Sequence, residues 1–104
     1  MADLQQKDWT KQLSEDNNSV VLDVRTKEEL EESGKIPNAL HIDIFKGQGF
    51  IDDIEKLDAT KNYYVYCRSG GRSAQACAIM NQLGFSNTYN LLGGFTEWVG
   101  EIDK

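Results

Sequence analysis

The sequence predicts a single α/β domain in which helices flank a mainly parallel sheet. Short runs of β-branched or aromatic residues alternate along the chain with stretches whose apolar residues recur at helical spacing. This alternation of strand and helix is typical of a parallel sheet that is covered by helices. A length of 104 residues is enough for one hydrophobic core, so residues 1–104 are interpreted as one domain.

The first helix and the first strand are predicted from short local patterns. Trp9 and Leu13 lie four residues apart and mark one face of a helix over Gln6–Ser14. After a polar turn, Val20–Leu22 forms a short β-branched run. Such an uninterrupted apolar run is typical of a strand buried on both faces, so we expect a buried strand here.

The next helix is predicted from its capping residues. Thr26 is followed three residues later by Glu29, which fits a capping box. Gly34 suits the left-handed end of that helix, and the proline that follows prevents its continuation. Ala39–Ile44 is predicted as a second short strand.

The second half of the chain continues the alternation of helices and strands. The predicted elements are a helix carrying Phe50, Ile51, Ile54 and Leu57, a strand over Tyr63–Tyr66, a helix over Arg72–Leu83 closed by Gly84, a strand over Thr88–Asn90, and a last helix supported by Phe95, Trp98 and Val99. In a parallel sheet, binding sites lie at the carboxyl ends of strands. Asp23 and Cys67 are the two chemically active residues that follow predicted strands directly.

Charge and hydropathy exclude several classes of function. The formal net charge is −6, so nucleic acid and acidic membranes are poor partners. No apolar run approaches the length that crosses a bilayer, and Met1–Trp9 lacks the pattern of a secretion signal. We therefore expect a cytoplasmic protein. In that reducing compartment Cys67 and Cys77 are expected as free thiols, although the sequence leaves a pairing between them open.

The negative charge is unevenly distributed. Residues 59–96 contain no Asp or Glu, yet they hold Lys61, Arg68 and Arg72 together with both cysteines. An acid-free segment in an acidic chain indicates a local site for an anion. The alternative is a buried central segment that excludes charge, and both interpretations can hold together.

The loop from Cys67 to Ser73 carries the predicted chemistry. A cysteine reacts as the thiolate, which two arginines and the N-terminus of the following helix would favour. Two glycines let the backbone curl so that several N–H groups point inward, as a cradle for an anion or a persulfide. The alternative is a strand-to-helix turn with an inert cysteine. We predict Cys67 as the catalytic nucleophile, and the following residues as substrate-binding: Arg68, Ser69, Gly70, Gly71, Arg72 and Ser73.

Polar residues outside the loop have less specific patterns. Cys77 lies among alanines in a helix and is interpreted as a packing residue, with a resolving thiol as the alternative. His41 is interpreted as a structural or surface residue rather than as a general base. Because the chain has one histidine and no Cys-x-x-Cys pair, neither a metal site nor a cofactor is predicted.

Asp23 and Arg25 are candidate supporting residues. Asp23 follows a predicted strand and can face the loop, where its carboxylate would orient the backbone. Equally, the two residues can form local ion pairs, Arg25 with Glu28 or Glu29. The sequence does not decide between these roles.

Four motifs, in order along the chain, resemble those of the rhodanese family. They are Val21–Arg25 followed by Glu28 and Glu29, then Gly34–Ala39, then the loop Tyr66–Ser73, and then a C-terminal pattern of Leu83–Phe85, Tyr89–Leu91 and Gly93–Trp98. The similarity extends over almost the whole chain, and four motifs in order are highly specific. The family often has His before Ile-Pro and Gly after it, where this chain has Lys35 and Asn38.

The resemblance implies a rhodanese-like fold with a five-stranded, mainly parallel sheet flanked by helices. It implies a thiosulfate sulfurtransferase in which Cys67 takes a sulfane sulfur from thiosulfate or a similar donor and holds it as a persulfide. The sulfur then passes to cyanide or a thiol, which can belong to a protein. By resemblance, Arg68 and Arg72 bind donor oxygens or stabilise the persulfide, and the backbone N–H groups of residues 68–73 form the cradle. A monomer is expected.

Three other functions share this loop. A phosphatase or arsenate reductase would use the same thiolate, but phosphatase relatives of the fold have Cys-x5-Arg, whereas Cys67 and Arg72 enclose only four residues. The shorter loop suits a sulfur atom better than a phosphoryl group. A non-catalytic interaction module would usually have lost the cysteine. A persulfide carrier that serves a protein partner is indistinguishable from a sulfurtransferase at this level.

Overall fold

Five strands form a single parallel sheet in the computed structural model, which describes residues 1–104. The strands are β1 Ala2–Leu4, β2 Ser19–Asp23, β3 Leu40–His41, β4 Asn62–Tyr66 and β5 Thr88–Leu91. Their order across the sheet is β1-β5-β4-β2-β3, and every pairing is parallel. The helices are α1 Gln6–Ser14, α2 Lys27–Ser33, α3 Gln48–Glu55 and α4 Gly71–Gln82, with 3₁₀ turns at Ile44–Lys46 and Phe95–Glu97. The predicted α/β class is confirmed.

The central strand β4 divides the core into two halves, because alternate residues of a strand face opposite sides of the sheet. Tyr63 and Val65 pack with side chains of α3 and α4. Tyr64 and Tyr66 pack on the other side, where the Trp9 ring of α1 meets them edge to face at 5.7 and 6.4 Å. Both sides of β4 are therefore covered by apolar side chains, as is usual for a strand inside a parallel sheet.

The helices α1 and α2 begin and end where the sequence predicts. In α2 the capping box is complete: Thr26 Oγ1 accepts a hydrogen bond from the Glu29 N–H at 3.3 Å, and Glu29 Oε1 accepts one from the Thr26 N–H at 3.0 Å. Gly34 follows the last turn with a φ of 79°. No helix combines the length and the apolar character needed to cross a membrane.

The predicted second strand, Ala39–Ile44, is shorter in the structure and contains only Leu40–His41. The Asp43 carboxylate accepts a hydrogen bond from the Phe45 N–H at 2.8 Å. This bond starts the 3₁₀ turn Ile44–Lys46. The side chain of Asp43 therefore ends the strand by offering the backbone a local partner.

The predicted last helix, supported by Phe95, Trp98 and Val99, is wrong. The structure has one 3₁₀ turn there, after which the backbone becomes extended at Trp98. The Trp98 indole packs edge to face on Trp9 at 6.0 Å, and its Nε1–H donates to the Glu101 carbonyl at 2.9 Å. These tertiary contacts take Trp98 off a helical path.

Asn38 has the only positive φ among the non-glycine residues, 68°. Asparagine tolerates this left-handed conformation better than most residues, because its short polar side chain can bond locally. Position 38 therefore keeps a glycine-like backbone even though this chain lacks the glycine often found there in the family that it resembles.

Candidate active site

Cys67 directly follows strand β4 at the carboxyl edge of the sheet, and α4 begins four residues later at Gly71. The Cys67 side chain is only 1% exposed, so its sulfur lies inside the loop rather than on its rim. Gly70 takes a left-handed conformation with φ of 106° immediately before the helix. Glycine adopts this conformation readily, and it allows the chain to turn sharply from strand to helix.

Two hydrogen bonds reach the Cys67 sulfur directly. The Gly70 N–H donates to Sγ at 3.1 Å, and the Ser73 Oγ lies 3.4 Å from it. Burial by itself raises the pKa of the Cys67 thiol. Hydrogen bonds from the Ser73 hydroxyl and from the backbone N–H groups of Ser73, Gly70 and Ser69 outweigh it, so the pKa lies below its ordinary value. The sequence predicts that both arginines and the helix N-terminus lower this pKa, whereas in the structure the largest lowering contributions are hydrogen bonds from uncharged groups.

The segment after β5 supports the loop from the other side. The Phe95 N–H donates to the Cys67 carbonyl at 2.9 Å, and the Thr96 N–H donates to the Arg68 carbonyl at 2.9 Å. The Thr96 hydroxyl adds a third bond, also to Arg68, at 2.8 Å. These bonds fix the backbone of Cys67 and Arg68 against the C-terminal segment. The sequence marks this region by the turn at Gly93 and Gly94 and by its place in the C-terminal motif, but it gives no indication that the region bonds to the Cys67 loop.

Arg72 is already paired with a carboxylate. Its Nη1 and Nη2 lie 2.7 and 2.8 Å from the two carboxylate oxygens of Glu29 on α2. This forked hydrogen bond from Arg72 lowers the pKa of Glu29 to about 2. The guanidinium also lies 5.4 Å from the centre of the Phe45 ring. Arg72 thus joins α4 to α2 at the edge of the loop.

Arg68 differs from Arg72 because it is exposed and forms no ion pair. It lines a cleft of about 340 Å³ beside the loop, whose wall also includes Glu32, Phe95 and Thr96. Of the two loop arginines, Arg68 is therefore the one whose guanidinium is open to an anion.

Asp23 and Arg25 form a buried ion pair under this cleft. Arg25 Nη2 lies 2.7 Å from Asp23 Oδ2, and both side chains are almost completely buried. The same Nη2 donates to the Gly34 carbonyl at 2.7 Å. Of the two roles considered for them, a local ion pair is what forms, with Asp23 rather than with Glu28 or Glu29 as the partner of Arg25. This pair connects the end of β2 to the end of α2.

The remaining loop residues occupy distinct environments. Ser69 and Gly71 are exposed at the rim, and Ser73 is buried beneath the sulfur. Away from the loop, burial raises the pKa of the Cys77 thiol to about 11, which agrees with a packing role. The Nε2 atom of His41 lies 2.7 Å from the Arg25 carbonyl, which agrees with a structural role.

Known proteins resemble this chain along most of its length. The sequence profile of the family described as Rhodanese-like domain matches residues 6–101. The chain is 40% identical over 86 residues to the putative sulfurtransferase YtwF of Bacillus subtilis, covering 83% of this chain and 79% of that protein. It is 38% identical over 79 residues to the thiosulfate sulfurtransferase GlpE of Coxiella burnetii, covering 76% and 70%. A rhodanese-like domain protein from Staphylococcus aureus has a crystal structure that matches with a TM-score of 0.82 at 28% identity, covering 100% of both chains.

These matches agree with the architecture around Cys67. The matched residues 6–101 include β4, α4 and the segment after β5 that supports the loop. The order of strands and helices that brings these elements together is shared with a solved relative over the full length of both chains. The chain therefore belongs to the rhodanese family of sulfurtransferases.

Proposed function

We propose that this protein transfers sulfane sulfur by way of a persulfide on Cys67. The observation that carries the proposal is the environment of the Cys67 sulfur, which accepts hydrogen bonds from the Gly70 N–H at 3.1 Å and the Ser73 hydroxyl at 3.4 Å. The sulfur also lies beside the N-terminus of α4, a helix of 12 residues, whose dipole favours negative charge. The lowered pKa increases the fraction of Cys67 that is present as thiolate, which is the nucleophilic form.

The reaction divides into two displacements. With thiosulfate as donor, the Cys67 thiolate attacks the outer sulfur, the sulfur–sulfur bond of thiosulfate breaks, and sulfite leaves with the electron pair. The product is a Cys67 persulfide whose negative charge resides on the outer sulfur. Cyanide or a thiolate then attacks that outer sulfur, the bond to the inner sulfur breaks, and the Cys67 thiolate is regenerated. Charge and atoms balance in each step without a metal or an oxidant.

We assign donor binding chiefly to Arg68. Its guanidinium is exposed and unpaired, whereas Arg72 is held by Glu29. A charge-assisted hydrogen bond at an exposed site contributes about 1.5 kcal/mol, which corresponds to about tenfold in binding. Arg68→Ala should therefore raise the KM for thiosulfate about tenfold. The KM of Arg68→Lys should lie between those of the parent protein and Arg68→Ala. An unchanged KM in Arg68→Ala would remove this assignment.

The same geometry supports sulfur transfer over phosphoryl transfer. A phosphatase loop needs a guanidinium that is directed at the transferred group. Arg72, the arginine at the end of this loop, makes both of its short hydrogen bonds to Glu29 instead. Turnover of an aryl phosphate that disappears in Cys67→Ser would revive the phosphatase alternative.

Intact mass spectrometry tests the central proposal. The protein is incubated with thiosulfate, excess donor is removed, and we expect a mass gain of one sulfur atom. Cys67→Ser should show no gain. Cys77→Ser is the matched control, since it makes the same change at the other, packed cysteine, and it should load normally. The gain should vanish on addition of cyanide. No gain at all, or a gain that survives in Cys67→Ser, would contradict the proposal.

For the acceptor, we propose a small thiophile or a protein thiol, with the chain acting as a monomer and without nucleic acid. The net charge of −6 supports the exclusion of nucleic acid. Light scattering should give a mass near 11.7 kDa for the unloaded and the loaded protein alike. Transfer of isotopically labelled sulfur from loaded Cys67 to the thiols of a cell extract distinguishes small acceptors from protein acceptors.

A further inference from the structure

A chain of buried polar groups connects the Cys67 sulfur to the N-terminal strand. The Ser73 hydroxyl lies 3.4 Å from Cys67 Sγ and also donates to Asn90 Oδ1 on β5. Asn90 Nδ2 in turn donates to the Gly70 carbonyl at 3.2 Å and to the Asp3 carboxylate at 3.0 Å. Ser73 and Asn90 are 0% and 2% exposed. Water therefore does not compete for the bonds among Cys67, Ser73, Asn90 and Gly70, whereas the Asp3 carboxylate at the end of the chain is exposed.

The two acceptors fix the orientation of the Asn90 amide. The carbonyl of Gly70 and the carboxylate of Asp3 can only accept, so the nitrogen of the amide must face them. The amide oxygen then faces Ser73, whose hydroxyl is its one hydrogen-bond donor. Asn90 is thus held as an acceptor directed at Ser73.

Ser73 carries one hydroxyl proton but has competing acceptors. The Gly70 carbonyl oxygen lies 3.2 Å from the hydroxyl, but it already accepts hydrogen bonds from the Ala74 N–H at 3.1 Å and from Asn90 Nδ2. The acceptors that remain for the hydroxyl proton are Asn90 Oδ1 and Cys67 Sγ. A charged thiolate is the stronger acceptor of the two. In a persulfide the charge has moved to the outer sulfur, so the inner sulfur becomes a weak acceptor. The preferred partner of the hydroxyl therefore depends on whether Cys67 is loaded.

We propose that Asn90 is a positioning residue for Cys67 that acts through the Ser73 hydroxyl. The hydroxyl donates to Sγ while Cys67 is a thiolate, and it donates to Asn90 Oδ1 once the sulfur has been loaded. Asn90 therefore favours the loaded state and the neutral thiol over the thiolate. The loaded half of this inference rests on the proposed persulfide, whereas the thiol half does not.

Asn90→Leu removes the acceptor at similar volume and gives the first test. In a Cys77→Ser background, which leaves one thiol, the pH dependence of alkylation by iodoacetamide reports the pKa of Cys67 in the unloaded protein. We expect the pKa to fall by about 0.7 unit, a fivefold rise in the ionisation constant, because one neutral hydrogen bond no longer competes for the proton.

The loaded state should shift in the opposite direction. At a fixed ratio of thiosulfate to sulfite, the ratio of persulfide to free thiolate in Asn90→Leu should fall about fivefold, since the hydroxyl loses its partner in the loaded form. The charged groups that face the loop are unaltered in this variant: Arg68, Arg72, Glu29 and Asp43. Asp3 keeps its charge but loses the hydrogen bond from Asn90 Nδ2. A general loosening of β5 would not stabilise one state of Cys67 and destabilise the other.

Two further variants separate positioning from structural damage. Thr88→Val is the matched control on the same strand, because it removes a buried hydrogen bond from Asn81 Nδ2 at 2.9 Å without touching Ser73. Thr88→Val should leave unchanged both the pKa of Cys67 and the ratio of persulfide to free thiolate. In a Ser73→Ala background, Asn90→Leu should have no effect on the pKa, because no hydroxyl proton remains to be shared.

An unchanged or raised pKa in Asn90→Leu would overturn the proposal, as would an equal shift in the Ser73→Ala background. If Asn90→Leu lowers the pKa but leaves the ratio of persulfide to free thiolate unchanged, the claim that Asn90 favours the loaded state is wrong. If Asn90→Leu fails to fold, Asn90→Val lacks the same acceptor and suits a strand, and it gives the same test. Failure of the protein to load at all would contradict the proposed function while leaving the thiol measurement to decide the role of Asn90.

Discussion

Gly94→Ala adds one methyl group where the C-terminal segment meets the Cys67 loop. A Cβ at Gly94 would lie 2.6 Å from the carbonyl oxygens of both Cys67 and Arg68. Both atoms belong to the backbone, so neither can rotate aside as a side chain would. Gly94 also has φ of 56° and ψ of −156°, which only glycine adopts readily. We therefore expect this substitution to displace the loop as well as to destabilise the fold.

The size of the effect follows from these contacts. The backbone conformation alone costs alanine about 1–3 kcal/mol. Relief of the collision moves two carbonyls that accept hydrogen bonds from the backbone N–H groups of Phe95 and Thr96, and the loss of each of these two backbone bonds costs about 1 kcal/mol. The total is about 3–5 kcal/mol, a large part of the stability of a small domain. Since the entropy of unfolding for a chain of this length is about 0.2 kcal/mol/K, the melting temperature should fall by about 15–25 °C.

Two other glycines serve as controls in thermal unfolding followed by circular dichroism. Gly47 has φ of 59° and ψ of −116° but nothing within 4 Å of the position that an added methyl group would take, so Gly47→Ala should cost about 1–3 kcal/mol from the backbone conformation alone. Gly71 has neither a positive φ nor a neighbour within 4 Å, so Gly71→Ala should be neutral or slightly stabilising. Persulfide loading should be lost only in Gly94→Ala. If Gly94→Ala costs no more than Gly47→Ala, close backbone approach is not what requires glycine at position 94.

Three further changes test the packing around the site. Because Arg72 lowers the pKa of Glu29 to about 2, this pair stabilises the fold above the unfolded pKa of about 4.3, and the contribution is lost as pH falls from there to about 2. Urea unfolding of Glu29→Gln should lack that part of the acid sensitivity, and an unchanged pH profile would contradict this. Asp23→Ala leaves the buried Arg25 cation unpaired and should cost about 3–5 kcal/mol in urea unfolding, with partial recovery on adding Arg25→Met; a loss below about 1 kcal/mol would be inconsistent with a buried pair. Asn38→Ala should lower stability by about 1 kcal/mol while Asn38→Gly stays near the parent, and equal values would argue against left-handed strain.

Local patterns predicted the elements that depend on local interactions. The capping box at Thr26 and the spacing of Trp9 and Leu13 involve residues within one or two turns, and both helices have the predicted bounds. β4 and the following α4 were also predicted, because a β-branched and aromatic run meets an alanine-rich helix at Cys67. This junction places the candidate nucleophile, so the core of the site could be read from the sequence.

The sequence could not predict elements that exist only through tertiary contacts. Ala2–Leu4 has no strand pattern of its own, and it becomes a strand because it pairs with β5, where Ala2 lies beside Tyr89. The predicted last helix failed for the same reason, since Trp98 is held by Trp9, 89 positions earlier in the chain. In both cases the deciding partner is distant in the sequence.

Tertiary partners also change the electrostatics that the acid-free segment of residues 59–96 indicates. The fold brings Glu29, from outside that segment, onto Arg72, so Arg68 is the loop arginine that remains unpaired. The Cys67 thiolate is then stabilised by N–H and O–H dipoles rather than by a contact ion pair. This difference matters for sulfur transfer, because the nucleophilicity of a thiolate falls as its pKa is lowered. The groups that contact Sγ, the Gly70 N–H and the Ser73 hydroxyl, are uncharged, so they lower the pKa without holding the negative charge in an ion pair, as a guanidinium bound to Sγ would.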